Sequence, residues 1–235
     1  MKRLVSSLAG LLLVVSAHAA IEIGYSIDGG ATTLCTDAIS TGPVTCSDAS
    51  GTFTIHGLSA GSNSPGTAPL SFEVSSALQI TNTTGATHTI DISVVAQDFS
   101  LPVAPPDILV NSHIGGTVVV GRAANALTFK SCLDTGNTLT ACPGGSLASP
   151  TGSPAITSAL AFSNDQFLTV SSLVAPYAID ELLHLTLGGG GSVNLAASTT
   201  LTQTAVPEPA SIALLGGALL LVSGIRRKRN QSQKA

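Results

Sequence analysis

Tryptophan is missing from this 235-residue sequence, and its aromatic residues amount to two Tyr and six Phe. A true immunoglobulin domain packs a Trp on its inter-sheet bridge, so that domain type is disfavoured. Charge is scarce too. Asp, Glu, Lys and Arg make up 9% of the chain, against roughly 25% in an ordinary soluble domain. Cations are scarcest in the middle: between Ala20 and Val206 only Arg122 and Lys130 stand against twelve carboxylates, a net of −10. A body of that sign repels phosphate backbones, which disfavours nucleic-acid partners. Its acids are scattered singly and read as a solvated, self-repelling surface.

Catalytic signatures are lacking as well. There is no G-x-S-x-G, H-E-x-x-H or Walker loop, and no Asp-rich calcium loop. The glycine run Gly188 to Gly191 lacks the Lys and the following helix that a phosphate site needs. His56, His88 and His113 are scattered, and His88 reads as a solvated strand position. Asp180, Glu181 and His184 form the one local cluster of titratable groups. It reads as a solvated turn, and is the one group to inspect for a site, as a secreted hydrolase would need.

What is present begins at the ends. Lys2 and Arg3 precede an apolar run from Leu8 to Val15, and Ala17-His18-Ala19 follows. A basic start, a short apolar stretch and a small-x-small site make a secretory signal peptide over residues 1–19. The run is too short for a membrane span of about 20 residues. At the other end, Val206-Pro207-Glu208-Pro209 precedes an uncharged stretch from Ser211 to Ile225, and Arg226-Arg227-Lys228-Arg229 follows at once. Pro209 suits the first turn of a helix, and Glu208 complements a helix N-terminus. Fifteen residues span about 22 Å at 1.5 Å each, short of a hydrocarbon core of about 30 Å. The basic cluster can snorkel to headgroups and, staying cytoplasmic, leaves the body outside.

Residues 205–229 resemble the PEP-CTERM sorting signal of Gram-negative bacteria, a segment also known as the ice-binding protein C-terminal domain. The likeness rests on the order of Pro207-Glu208-Pro209, the apolar stretch and the basic end at Arg226, Arg227, Lys228 and Arg229. It implies transient anchoring at the inner membrane through residues 211–225. It also implies recognition by an exosortase-type enzyme, and an association with exopolysaccharide and biofilm. Residues 230–235 form a short cytoplasmic tail beyond it.

The body, residues 20–204, reads as one domain. Residues 20–206 hold 23 Ser and 26 Thr. Short alternating runs broken by turn residues replace any long helical period, which predicts an all-β fold. Leu78, Ile80, Ile90, Ile92 and Val94 alternate around Asn82-Thr83-Thr84-Gly85, the pattern of a hairpin. Further strands are expected at 118–120, 167–170 and 182–187, with a return from Val193 after the glycine turn. Residues 178–184 suit a helical turn or a strand, and the strand is preferred because Thr186 and the glycines follow directly. Segments 59–69 and 143–155 read as Gly-, Ser- and Pro-rich loops. The expected architecture is a single β-sandwich of immunoglobulin-like or jelly-roll type.

Cys35, Cys46, Cys132 and Cys142 form an even set in an exported chain, which implies disulfides. Three connectivities exist; pairing of sequence neighbours, 35–46 and 132–142, is preferred because each pair brackets a turn. The spacing is not that of a zinc site, and no cofactor is implied. The leading expectation is a non-enzymatic surface or matrix protein sorted through its tail. The alternatives are a carbohydrate-binding module and a secreted hydrolase.

Overall fold

The structure is a computed structural model that describes residues 20–35, 44–49 and 51–204, without the side chains at 44, 46–49 and 78. The signal segment 1–19 lies outside the described residues, as does the sorting segment with Pro207, Glu208, Pro209, Arg226, Arg227, Lys228 and Arg229.

Twelve strands are described: β1 (Ile21–Ile27), β2 (Thr33–Leu34), β3 (Val44–Ala49), β4 (Phe53–Ser62), β5 (Leu70–Asn82), β6 (His88–Phe99), β7 (Ile108–Val120), β8 (Ala126–Asp134), β9 (Leu147–Ala148), β10 (Ala161–Val170), β11 (Tyr177–Leu187) and β12 (Ser192–Gln203). They form two six-stranded sheets. Sheet I has the order β2-β1-β6-β11-β8-β9, and sheet II the order β10-β7-β12-β5-β4-β3. Every pairing is antiparallel.

The two sheets pack face to face over an aliphatic core. Period-2 alternation aims Ile90, Ile92 and Val94 of β6 inward, and likewise Ile179, Leu183, Leu185 and Leu187 of β11. Ile108, Val110 and Ile114 of β7 meet them from sheet II. Each such side chain contributes roughly 1.5–3 kcal/mol by leaving water. Branched aliphatics fill the place that a Trp takes in immunoglobulin domains. The stacked pair Phe99 and Tyr177, with ring centroids 5.6 Å apart, closes one end.

The topology corrects one expectation. Asn82-Thr83-Thr84-Gly85 does not close a hairpin, because β5 lies in sheet II and β6 in sheet I. The turn is an arch across the core. The return from β11 to β12 through Gly188–Gly191 is a second arch, and the two lean on each other. Asn82, fully buried, donates Nδ2 to Leu187 O at 2.8 Å and to Ala86 O at 2.7 Å, while Gly190 N–H reaches Thr84 O at 3.1 Å. From β5 to β8, successive strands switch sheets at every step, and again from β9 to β12. Consecutive strands therefore often face one another across the sandwich instead of pairing within a sheet. Two boundaries also shift: residues 59–62 belong to β4, and the 143–155 loop carries the short β9.

Candidate functional site

The cluster singled out in the sequence, Asp180, Glu181 and His184, lies on β11 as a strand and is not a solvated turn. Alternation sends its members to opposite faces, so it cannot act as one site. Glu181 points into the sandwich and is buried. Its Oε2 accepts the Ser75 hydroxyl from β5, and its Oε1 lies 3.2 Å from Thr199 Oγ1 of β12. Burial pushes its carboxyl up to about 7, against the pull of the hydrogen bonds from Ser75 and Thr199. Glu73 of β5 shares the interior. Its carboxyl is fully buried, and neither oxygen has a hydrogen-bond partner among the described residues. Burial, then the charges of Glu181 and Asp180, hold it well above the usual carboxylate range.

Asp180 faces the other way, where the loop after β8 covers sheet I. The Cys132–Cys142 disulfide ties that loop down, with Cα atoms 5.4 Å apart, as the bracketed turn implied. Cys132 stands beside Asp180 in register, and Cys142 N–H donates to Asp180 Oδ2 at 2.7 Å. Burial raises the Asp180 carboxyl to about 7 even so. The loop is closed further by Asn137, whose Nδ2 donates to Asp98 Oδ1 at 2.7 Å. Asp180 is thus a packing group under a loop. Cys35 is disulfide-bonded too; the side chain of Cys46 is outside the described residues. The expectation of uniformly solvated acids is corrected by Glu73 and Glu181, buried between the sheets, and by Asp134 and Asp180, which are buried as well.

Three histidines sit in pairs with aspartates. His88 Nδ1 lies 2.7 Å from Asp28 Oδ2, His113 Nδ1 2.9 Å from Asp165 Oδ1, and His184 Nδ1 2.6 Å from Asp91 Oδ1. The last two pairs are directly opposed across neighbouring strands. The Asp28 carboxyl is held below its ordinary value by the Thr89 N–H and then by His88. Among the described residues no three His, Cys, Asp or Glu groups converge as a metal site would require.

The most open surface is the outer face of sheet II, and register builds it rank by rank. Phe167, Asn111, Thr200 and Phe72 run side by side across β10, β7, β12 and β5. The next rank is Asp165, His113, Ser198, Val74 and Gly61. A third holds Ser163, Gly115, Ala196, Ser76 and Ser59. The short side chains of the second and third ranks leave a trough of about 450 Å³. Gly115 keeps its floor low beside the imidazole: a Cβ there would stand 3.2 Å from His113 Nε2. Phe167, 55% exposed, stands on the same face one rank beyond the residues that line the trough. Sequence alternation alone places Asp165 and Phe167 on one face of β10. That the face adjoins His113 and Ser198 follows only from the sheet register.

No protein-family model matches the chain, and no curated protein does. Among solved structures, the chain is similar to one titled as TmCBM61 in complex with β-1,4-galactotriose, at 8% identity, covering 61% of this chain and 87% of that one, TM-score 0.30. A second, from a structure on the promiscuous specificity of carbohydrate-binding modules of the β-sandwich superfamily, shows 10% identity over 76% of this chain and 83% of its own, TM-score 0.28. At those TM-scores neither overlay transfers a binding site to this chain.

Proposed function

We propose that this chain is an exported, non-catalytic protein of the cell surface or extracellular matrix whose sandwich holds polysaccharide. The observation that carries the binding part is the trough on sheet II. It is an open surface lined by Ser59, Ser76, Ser198 and the imidazole of His113, which Asp165 holds, with the exposed Phe167 one rank away on the same face. Hydroxyls and imidazole exchange hydrogen bonds with sugar hydroxyls, and a Phe ring packs on the C–H face of a sugar. By contrast, Asp180 and Glu181, the carboxylates a hydrolase reading needs, are enclosed on opposite sides of one strand. Retention of the secreted protein on the producer's own polysaccharide tests this reading. Phe167→Ala should weaken retention about tenfold, and undiminished retention sinks the assignment of this face.

The delivery part rests on sequence. The order of signal segment, Pro207-Glu208-Pro209, apolar stretch and Arg226–Arg229 supports sorting of the PEP-CTERM kind. The membrane would hold residues 211–225 until an exosortase-type enzyme processes the chain. Intact mass in cells with and without that enzyme checks it. If the mature protein keeps Arg226–Arg229 in both, the sorting reading fails.

A further inference from the structure

We infer that the outer face of sheet I carries a second site, shaped for a single carboxylate-bearing sugar unit, a uronate. The inference rests on the reading of an extracellular glycan partner and adds to it the class of sugar and a separate location.

A pocket of about 230 Å³ opens over β6, β11 and β8. Asp91, His184 and Thr128 lie side by side across these strands, and Lys130 stands on the neighbouring rank of β8. Thr151 lines the pocket from the connection after β9. It is held there by paired backbone bonds between Phe129 and Gly152 at 2.8 and 2.7 Å. The volume is below the range of about 300–1,000 Å³ typical of drug-sized ligands, and suits one monosaccharide unit.

Charge makes the site specific. The body has two cations against twelve carboxylates. Arg122 is committed, with Nε donating to Gly189 O at 2.8 Å and a terminal nitrogen to Gly121 O at 3.1 Å. The Lys130 ammonium makes no ion pair or hydrogen bond among the described residues. Asp91 is the one carboxylate lining the pocket, and its Oδ1 is taken by His184 Nδ1. What remains to meet a ligand is an ammonium, the hydroxyls of Thr128 and Thr151, His184 Nε2 and Asp91 Oδ2. An ammonium is a compact point charge that pairs with a carboxylate, and the other groups, Asp91 Oδ2 as an acceptor, match ring hydroxyls. At long range the acidic body repels a polyanion, within a Debye length of about 8–10 Å. The site therefore favours a chain end or a sparsely acidic polymer over a densely charged one.

The test titrates the secreted protein with a galactose trisaccharide bearing a single terminal galacturonate and with the same tetrasaccharide methyl-esterified, at physiological salt. The acid form should bind at least tenfold tighter. Lys130→Gln should erase that preference with the thermal midpoint unchanged, and Lys130→Arg should keep most of it. A preference that survives in K130Q overturns the site. Equal binding of acid and ester, lost in Phe167→Ala, overturns it while the sheet II reading stands. If neither sugar binds the wild-type chain, the uronate site is overturned, and retention on the producer's own polysaccharide decides the sheet II reading separately.

Discussion

The hydroxyls of Ser131 and Thr199 lie 2.5 Å apart across the two sheets, and between them they are one proton short. Ser131 donates to Ser112 Oγ at 2.7 Å, and Thr199 donates to Glu181 Oε1 at 3.2 Å. Each hydroxyl has one proton to give, so neither has one left for the contact they share. The chain of Ser112, Ser131, Thr199 and Glu181 ties the buried carboxyl to both sheets, and burial pushes that carboxyl up to about 7.

Stability should therefore fall as pH rises. The folded Glu181 carboxyl titrates at about 7, and an unfolded Glu near 4.3. Between those values the native state holds more protons, so the contribution is full below about pH 4.3 and lost as pH climbs through 7. On the order of 3 kcal/mol is at stake for this one group. Asp180, also raised to about 7, acts in the same direction. Glu181→Gln should flatten the profile of denaturant midpoints between pH 4 and 8. A wild-type profile already flat across that window contradicts a raised Glu181 carboxyl.

Glu73 offers the opposite result, a gain. Its carboxyl is fully buried without a partner among the described residues, and an unsatisfied buried polar group costs about 1–3 kcal/mol. Glu73→Leu removes that cost at similar volume. The thermal midpoint at pH 8 should rise by several degrees, at about 2–4 °C per kcal/mol for a chain of this size. Calorimetry showing a fall would mean that the carboxyl has a binding or folding role.

Opening the Cys132–Cys142 bridge, as in the double change to Ala, should cost about 3 kcal/mol in the chain-entropy picture. The loss should fall below that figure at high pH, because freeing the loop that places Cys142 N–H over Asp180 lets water reach a carboxylate whose ionisation burial otherwise opposes. Midpoints of the two proteins at pH 5 and pH 8 check this. An equal loss at both pH values would detach the disulfide from Asp180.

Much of the fold was legible because alternation is local. Val118 to Val120, Phe167 to Val170 and Leu182 to Leu187 each fall inside an observed strand, and residues 178–184 are a strand as the following Thr186 and glycines implied. The 132–142 pairing was legible because a tight turn between two cysteines brings them together. The hairpin expected around Asn82–Gly85 was not, since alternation reports which face a residue takes and says nothing about the strand it pairs with. In β11 the same alternation separates Glu181 from Asp180, but what covers each face comes from distant chain segments.

By itself the sequence determined the all-β class, the acidic body between two apolar ends, and the absence of a catalytic motif. Composition and period-2 spacing act over a few residues and need no partner. The tertiary structure decided that Glu73, Asp180 and Glu181 are enclosed, that Phe167 stands one rank from His113 and Ser198, and that Lys130 stands free in a pocket beside His184 and Asp91. Those relations join residues up to about a hundred positions apart, and only the register between strands sets them.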